Sequence, residues 1–539
     1  MKKLIFKGIL LSILFVSMYL QTMSQDYCIT NQFNFGGSEN EHVYSIINIA
    51  DGYVISGSTN SNDGDFNVAS NHDIDGFIAK FDFNNNLVWQ HTYGGKEYDD
   101  LFSIKSTDDG GFIAAGHTSS DDGDVSGNHG GRYDVWVVKF NSLGILQWQR
   151  CYGGKGVDGT YGIYVVPGGY QVVGGTTSDN NGDVPANHGG EDAWLLTISS
   201  TGDVVSSYCY GGSDDDNIAS ISRNTNGTST FLAETNSNDG QVSGNHGSDD
   251  MWLVNIDNND GSIIWQKCIG GSGYDFPHTI PRTADGNIIL PIGSNSNDGD
   301  FTGSTSGCAA GFTPKLMKVN PETGAVIWNR NYPDPNNRCA GSLGAIVTTD
   351  GGILSIGVIT DNPAVESNYD AYVFKVDAYG NMLWNKTLGG SKSDINWTHW
   401  SIGIEINNQY LIPITSRSND GDILNPLGGA DGWMVTLGTG ACSQRLAQGT
   451  ESKLSNEVAI FPNPLTNSAT IIFSLTKSEK VSLKIFDVNG RLVTTLADKI
   501  FEDGENEILW DAADVNSGIY FLQFQSGDIL KTEKLIVVK

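Results

Sequence analysis

Six passages of this chain set Asp or Asn residues around a single glycine: SNDGDF with Asp63 and Asp65, SDDGDV with Asp122 and Asp124, DNNGDV with Asn181 and Asp183, SNDGQV with Asp239, SNDGDF with Asp298 and Asp300, and SNDGDI with Asp420 and Asp422. Carboxylate oxygens brought together by a sharp bend are ligands that Ca²⁺ accepts, about six to eight at a time. The same residue types also bond their own backbone in turns, with glycine taking the positive φ. The alternating spacing and closing Glu of an EF-hand loop are missing. The pattern favours a repeated turn, with calcium as the competing reading. A transition metal held by His72, His129, His188 and His246, which follow the first four loops, ranks behind both.

Catalysis needs a few distinct groups gathered at one place, and these acidic groups recur at regular intervals instead. No G-x-S-x-G, H-E-x-x-H or P-loop motif occurs. Specific chemistry is therefore expected where the regularity fails. The turns YPDPNNRCAGSLGAI and GGSKSDINWTHWSI are each three residues longer than their counterparts, and the sixth unit lacks the DGD loop. Trp397, His399 and Trp400 in the second of these turns are the candidate ligand-binding residues, since aromatic rings stack on sugars or anchor peptides. The competing role for both Trp rings is to cap a hydrophobic core. Catalytic residues are expected to be none.

The elements that carry these groups form a repeat. W-Q-x-x-Y-G-G recurs as WQHTYGG at Trp89, WQRCYGG at Trp148 and WQKCIGG at Trp265, with weaker copies elsewhere. Anchors at 36, 94, 153, 211, 270, 333 and 389 give spacings of 58, 59, 58, 59, 63 and 56 residues. Each unit holds four short strand patterns separated by Asp, Gly and Asn turns. Seven such units predict an all-β fold, a seven-bladed β-propeller of four-stranded antiparallel blades over residues 25–442. The last unit lacks its fourth strand, and the unmatched CITNQFNFGG near the N-terminus supplies it. Phe77, Trp136, Trp194, Trp252 and Trp433, on the third strands, are expected between blades. The linking turns and the DGD loops share one face, which makes one rim acidic.

Seven cysteines mark the same layout. Cys28 and Cys442, from opposite ends of the array, align with one turn position and are expected to form a disulfide. Cys308 and Cys339 fall on the acidic rim in adjoining units and are expected to form a second. Cys151, Cys209 and Cys268 occupy one equivalent strand site each and read as packing residues.

The formal charge is −31. From Val458 onward 11 acidic and 8 basic side chains give a net of −3, leaving −28 on the rest. Such a surface excludes nucleic acid as a partner and favours cations or basic groups. MKKLIFKGILLSILFVSMYLQTMSQ has the basic start, short apolar run and small residues of a signal peptide, residues 1–24, with cleavage between Ser24 and Gln25. No transmembrane segment is expected in the mature protein, and a monomer is expected.

A polar stretch, residues 443–457, reads as a linker, and alternating strands from residue 458 to 539 suit a small Ig-like β-sandwich. FPNP at Phe461 to Pro464, LKIFDVNGRLV at Leu483 to Val493, Trp510, SGIYF at Ser517 to Phe521 and EKLIVVK at Glu533 to Lys539 resemble the type A C-terminal sorting domain of the type IX secretion system. The resemblance implies Pro462, Asn463, Pro464, Gly490, Arg491, Gly518 and the closing segment from Lys534 to Lys539 as the sorting signal. It also implies the type IX machinery as partner, and a passenger delivered through the periplasm and outer membrane of a Gram-negative bacterium to the cell surface or medium. DAYVFKVDAYGNMLWNKTLGG, Asp370 to Gly390, is similar to bacterial β-propeller repeats, a family without a shared activity.

The sequence as a whole therefore predicts a secreted or surface propeller that binds glycan or protein, with calcium as a possible cofactor. The alternatives are a glycan-active enzyme with its site in units five to seven and a structural surface-layer component.

Overall fold

The computed structural model describes residues 27–66, 74–276, 278–302, 312–336, 338–361, 369–395, 403–424, 426–439 and, with short gaps, 458–538. The chain divides into two compact units, Met1–Arg445 and Leu446–Lys539.

The first unit holds seven four-stranded antiparallel sheets. Blade 2 is representative, with strands Ser103–Ser106, Phe112–Thr118, Asp134–Phe140 and Leu146–Tyr152 paired in chain order. Its third strand, DVWVVKF, is buried along its whole length, whereas its fourth, LQWQRCY, is only partly buried. A blade wedged between two others hides both faces of its middle strands, so hydrophobic alternation gives way to continuous burial there.

Seven hydrophobic clusters link consecutive blades and return to the start. Trp136 packs with Val54 and Ile78 of blade 1, Trp194 with Val135 and Val137 of blade 2, and Trp252 with Ala193 and Leu195 of blade 3. Clusters containing Leu253 with Leu290, and Ile289 with Tyr372, carry the contact through blades 5 and 6. Trp433 packs with Val373 of blade 6, and Phe77 of blade 1 packs with Phe35 and Met434 of blade 7. The ring is therefore closed.

The closing strand is Cys28–Phe35, paired antiparallel with Asp431–Gly438 so that Gln32 faces Val435 and Phe33 faces Met434. Blade 5 departs from the pattern, because its first strand is only Asp275–Phe276. The sequence that follows, PHTIP, has two prolines without N–H groups to extend a ladder.

On the face opposite the acidic rim, Lys80, Lys139, Lys318 and Lys375 reach turn carboxylates at Asp51, Asp109, Asp285 and Asp350, 2.5–2.8 Å away. Lys139, Lys318 and Lys375 are buried, Lys80 is half-buried, and each aspartate is exposed. Cys28 and Cys339 are each disulfide-bonded, though not to one another, and Cys151, Cys209 and Cys268 are buried free thiols. Cys308 and Cys442 lie outside the described residues.

The second unit is a β-sandwich. One sheet has Val458–Phe461, Ser468–Leu475 and Gly504–Asp511; the other has Leu492–Phe501, Glu479–Asp487, Gly518–Ser526 and Ile529–Val537. Ile471, Phe473, Leu483, Trp510, Leu522 and Leu535 share its core.

Candidate ligand pocket on the acidic rim

The six DGD loops do the same local work. The first Asp or Asn turns Oδ1 onto a backbone N–H of the linking turn: Asp63 on Ser38, Asp122 on Lys96, Asn181 on Lys155, Asp239 on Ser213, Asp298 on Ser272 and Asp420 on Ser391, at 2.6–2.9 Å. The second acidic residue exchanges two bonds with the first glycine of the Gly-Gly pair. In blade 2 the Asp124 N–H donates to Gly94 O at 2.9 Å, and Gly94 N–H donates to Asp124 Oδ2 at 3.4 Å. Asp65, Asp183, Asp300 and Asp422 repeat this pairing, and Gln241 does so in blade 4. Glycine is required between them: Gly123 has φ +65°, and a Cβ there would lie 2.5 Å from Gly94 O. Among the described residues no group of three or more His, Cys, Asp or Glu could hold a metal ion.

Beneath each loop sits a buried carboxylate that sequence reading did not single out. Asp99 accepts bonds from Gly95 N–H, Thr118 Oγ1 and Ser120 Oγ at 2.6, 2.5 and 2.8 Å. Asp158, Asp216 and Asp394 take the same place, and Glu41 does so in blade 1. Burial pushes Asp216 up to about 6 against the hydrogen bonds from Thr235, Gly212 and Ser237. The recurring GG-x-x-x-D with T-x-S twenty residues later was the available signal.

A third carboxylate begins the third strand of every blade but the fifth, where Thr313 stands instead, and is capped by histidine in blades 2 to 4. His129 Nδ1 lies 2.7 Å from Asp134 Oδ2, His188 Nδ1 2.5 Å from Asp192 Oδ2, and His246 Nδ1 2.6 Å from Asp250 Oδ2. Each histidine is bonded to the carboxylate of its own blade, and His129 Nε2 also lies 3.9 Å from Asp183 Oδ2 of the next.

The inner ends of blades 2 to 4 carry another polar group. His117 Nε2 accepts the Thr160 N–H at 3.1 Å, which places its proton on Nδ1, 3.3 Å from Asp100 Oδ2. Asn217 Nδ2 donates to Glu191 Oε1 at 2.9 Å and Tyr161 OH at 3.1 Å. Burial, followed by Asp215 and Asp158, raises Glu191 to about 7, and burial with Asp249 and Glu191 raises Glu234 to about 7.

The rim opens between blades 6 and 7. A cavity of about 450 Å³ is lined there by Arg338, Asp370, Thr387, Ser391, Asp420 and Asp422, within the size range of small-molecule sites. Arg338 is held by Asp334 through Nε and Nη2, each at 3.1 Å, and by Thr387 Oγ1 at 3.0 Å. Asp370 stands where Asp134, Asp192 and Asp250 stand in their blades. Burial, then the neighbouring Asp394 and Asp422, push it up to about 7. Of the residues singled out from sequence, Asp420 and Asp422 line this cavity. Trp397, His399 and Trp400 lie outside the described residues, as do Ser24, Gln25, Pro462, Asn463, Pro464 and Lys539. Arg338 and Asp370 were missed, the first inside an irregular turn and the second hidden by its likeness to other blades.

In the sandwich, Gly490 adopts φ +73° in a turn where Asp487 N–H donates to Arg491 O and Arg491 N–H donates to Asp487 Oδ1, both at 2.9 Å. Gly518 opens a strand, and Lys534 is exposed on the last one, opposite Phe521.

Residues 459–539 match the family described as the secretion system C-terminal sorting domain. No curated protein matches the chain. Among solved structures, the β-propeller domain of the Trilobed protease from Pyrococcus furiosus aligns with 77% of this chain and 99% of its own at 9% identity and a TM-score of 0.38. The acylaminoacyl peptidase of Pyrococcus horikoshii aligns over 83% of this chain and 61% of its own at 8% identity and 0.38. PorZ, a surface component of the type IX secretion system of Porphyromonas gingivalis, aligns over 95% and 75% at 14% identity and 0.23. None of these structural likenesses bears on activity. Among the described residues no helix is long and apolar enough to cross a membrane. The C-terminal unit belongs to the secretion system sorting domains, and the chain is a β-propeller exported by the type IX system to the surface or exterior of a Gram-negative cell.

Proposed function

We propose that the exported propeller is a binding module for glycans, and that the cavity between blades 6 and 7 is its site. The observation that supports this is the coincidence of the cavity with the broken repeat: the loop and histidine cap that cover the corresponding aspartate in blades 2 to 4 have no counterpart in the blade 6 sequence. Its lining of carboxylates and hydroxyls suits a polyhydroxylated ligand, and Trp397 and Trp400 follow in the adjoining turn. The raised Asp370 beside Asp422 favours a second reading, a glycan-active enzyme using the same cavity. Against it, burial also raises the carboxylates of Asp216, Glu191 and Glu234, so a raised carboxylate in this ring does not by itself mark a catalytic group.

The same proposal has a type A sorting domain that engages the secretion machinery and is removed within residues 443–457, after cleavage of the signal peptide at Ser24. It pairs Cys28 with Cys442 and Cys308 with Cys339 in a monomer, and non-reducing peptide mapping checks those pairs. Purified mature protein on a glycan array tests the function. Selective binding without product release supports the module, turnover supports the enzyme, and silence across the array contradicts both.

A further inference from the structure

We propose that the secretion machinery reads the sorting domain through one end of the outer face of its four-stranded sheet, where Leu492, Phe486, Phe521, Ile519 and Ile536 form an apolar stripe. The occupant is a protein surface of that machinery, apolar at its centre and bordered by carboxylates. The inference rests on the reading of this unit as the part that engages the machinery.

The strand register brings these side chains together. Pairing sets Leu492 opposite Phe486, Phe486 opposite Phe521 and Ile519 opposite Ile536, and directly opposed residues share one face of a sheet. Leu483, Ile485, Leu522 and Leu535, at alternating positions of the same strands, are buried in the core on the inner face. The stripe therefore looks outward. Leu492 is 54% and Ile519 41% exposed, while Phe486, Phe521 and Ile536 are half-buried. The stripe crosses all four strands, about 14 Å at about 4.8 Å per strand. Further along the same face the pairs are polar: Lys484 with Thr495 and Gln523, Gln523 with Thr532, and Ser482 with Asp498 and Gln525. The Phe486–Phe521 pair alone would serve sheet stability, and it does not call for exposed Leu492 and Ile519 at its flanks. An apolar group on an otherwise polar face marks a contact surface.

Role and charge name the occupant. Residues 459–539 match the sorting domains of a secretion system, so a protein apparatus has to recognise this unit, and the whole stripe lies within that span. Lys534 ends the row opposite Phe521, Lys484 stands in the next row, and Arg491 precedes Leu492. Phenylalanine and arginine are enriched at protein contact surfaces, and a basic border selects a partner with carboxylates around an apolar centre. Ile500 is the internal comparison. It is 69% exposed at the other end of the same face, opposite Lys480 and beside Lys499, the setting of a solitary surface apolar residue that needs no partner.

Surface delivery of the full chain, measured by cell fractionation in a bacterium with an active type IX system, tests this. Leu492→Glu combined with Ile519→Glu is expected to lower the delivered fraction about tenfold or more, with periplasmic accumulation, whereas Ile500→Glu is delivered like the wild type. Lys484→Glu is expected to lower delivery and Lys484→Arg to preserve it. Normal delivery of the double variant, with delivery abolished when residues 458–539 are deleted, overturns the stripe and leaves the sorting role standing. Delivery that survives the deletion overturns the role itself. A photoreactive phenylalanine analogue replacing Leu492 or Ile519 alone supplies a second measurement, independent of whether the double variant folds. Adducts identified by mass spectrometry as components of the machinery support the proposal. Cross-links confined to the chain itself, to lipid or to proteins outside the machinery overturn it.

Discussion

Trp433 Nε1 donates a hydrogen bond of 2.7 Å to Oε1 of Gln32, 401 residues away in the chain. The bond lies where the N-terminal strand completes blade 7, and it has the same form as the bonds from Trp136 to Gln149 and from Trp252 to Gln266 inside blades 2 and 4. The closing strand is therefore a full member of its blade. Phe35, at its end, is buried among Phe66, Phe77 and Phe81. Phe35→Ala is expected to cost about 3 kcal/mol of unfolding free energy, as for other buried aromatic truncations. Urea denaturation reads this, and a loss under about 1 kcal/mol would mean the seam contributes little.

The DGD carboxylates are acceptors for backbone N–H groups, so their stabilising effect should not depend on calcium. Asp239→Ala removes the 2.7 Å acceptor of Ser213 N–H and is expected to destabilise by about 1–2 kcal/mol. EDTA should leave the melting temperature of the wild type unchanged. A fall of several degrees on chelation, reversed by Ca²⁺, would show that metal supports the rim.

Stability should fall as pH rises from about 5 to 8. Asp216 is raised to about 6, and Glu191, Glu234 and Asp370 to about 7, in each case chiefly by burial. Their unfolded values are about 4. A group raised on folding contributes stability that is complete below its unfolded value and lost as pH passes its folded value. Melting temperature should therefore be higher at pH 5.5 than at pH 8, and Glu234→Gln should flatten the slope. A melting temperature that climbs over this interval would contradict the burial account.

Deleting EKLIVVK, residues 533–539, removes Leu535 and Val537 from the sandwich core and most of the strand Ile529–Val537. The truncated protein is expected to accumulate in the periplasm, read by cell fractionation. Undiminished surface delivery would show that the signal lies elsewhere in the domain.

Much of this architecture was readable because a repeat converts one observation into seven. The orphan CITNQFNFGG revealed its place by matching a strand missing at the other end, and Trp136, Trp194 and Trp252 lie between blades as their alternation implied. What the loops hold was not readable. Asp122 serves an N–H 26 residues earlier, and no local pattern names that partner. The break in the repeat located the cavity, but Asp370 opens its strand as Asp250 does, and nothing in that strand marks it as lining one. In the sandwich, most of the strand Leu492–Phe501 is exposed or half-buried, with only Ala497 and Phe501 buried, so its hydrophobic signal is weak.

The account stands or falls on function residing where the ring's regularity fails. Ser391 and Ser213 are exposed residues at the same position of two linking turns, but only Ser391 lines the cavity. Glycan binding should be abolished in Ser391→Trp, which plugs the cavity, and retained at wild-type affinity in Ser213→Trp. Equal binding by both variants, or loss in Ser213→Trp alone, would place the ligand elsewhere on the propeller and contradict the assignment.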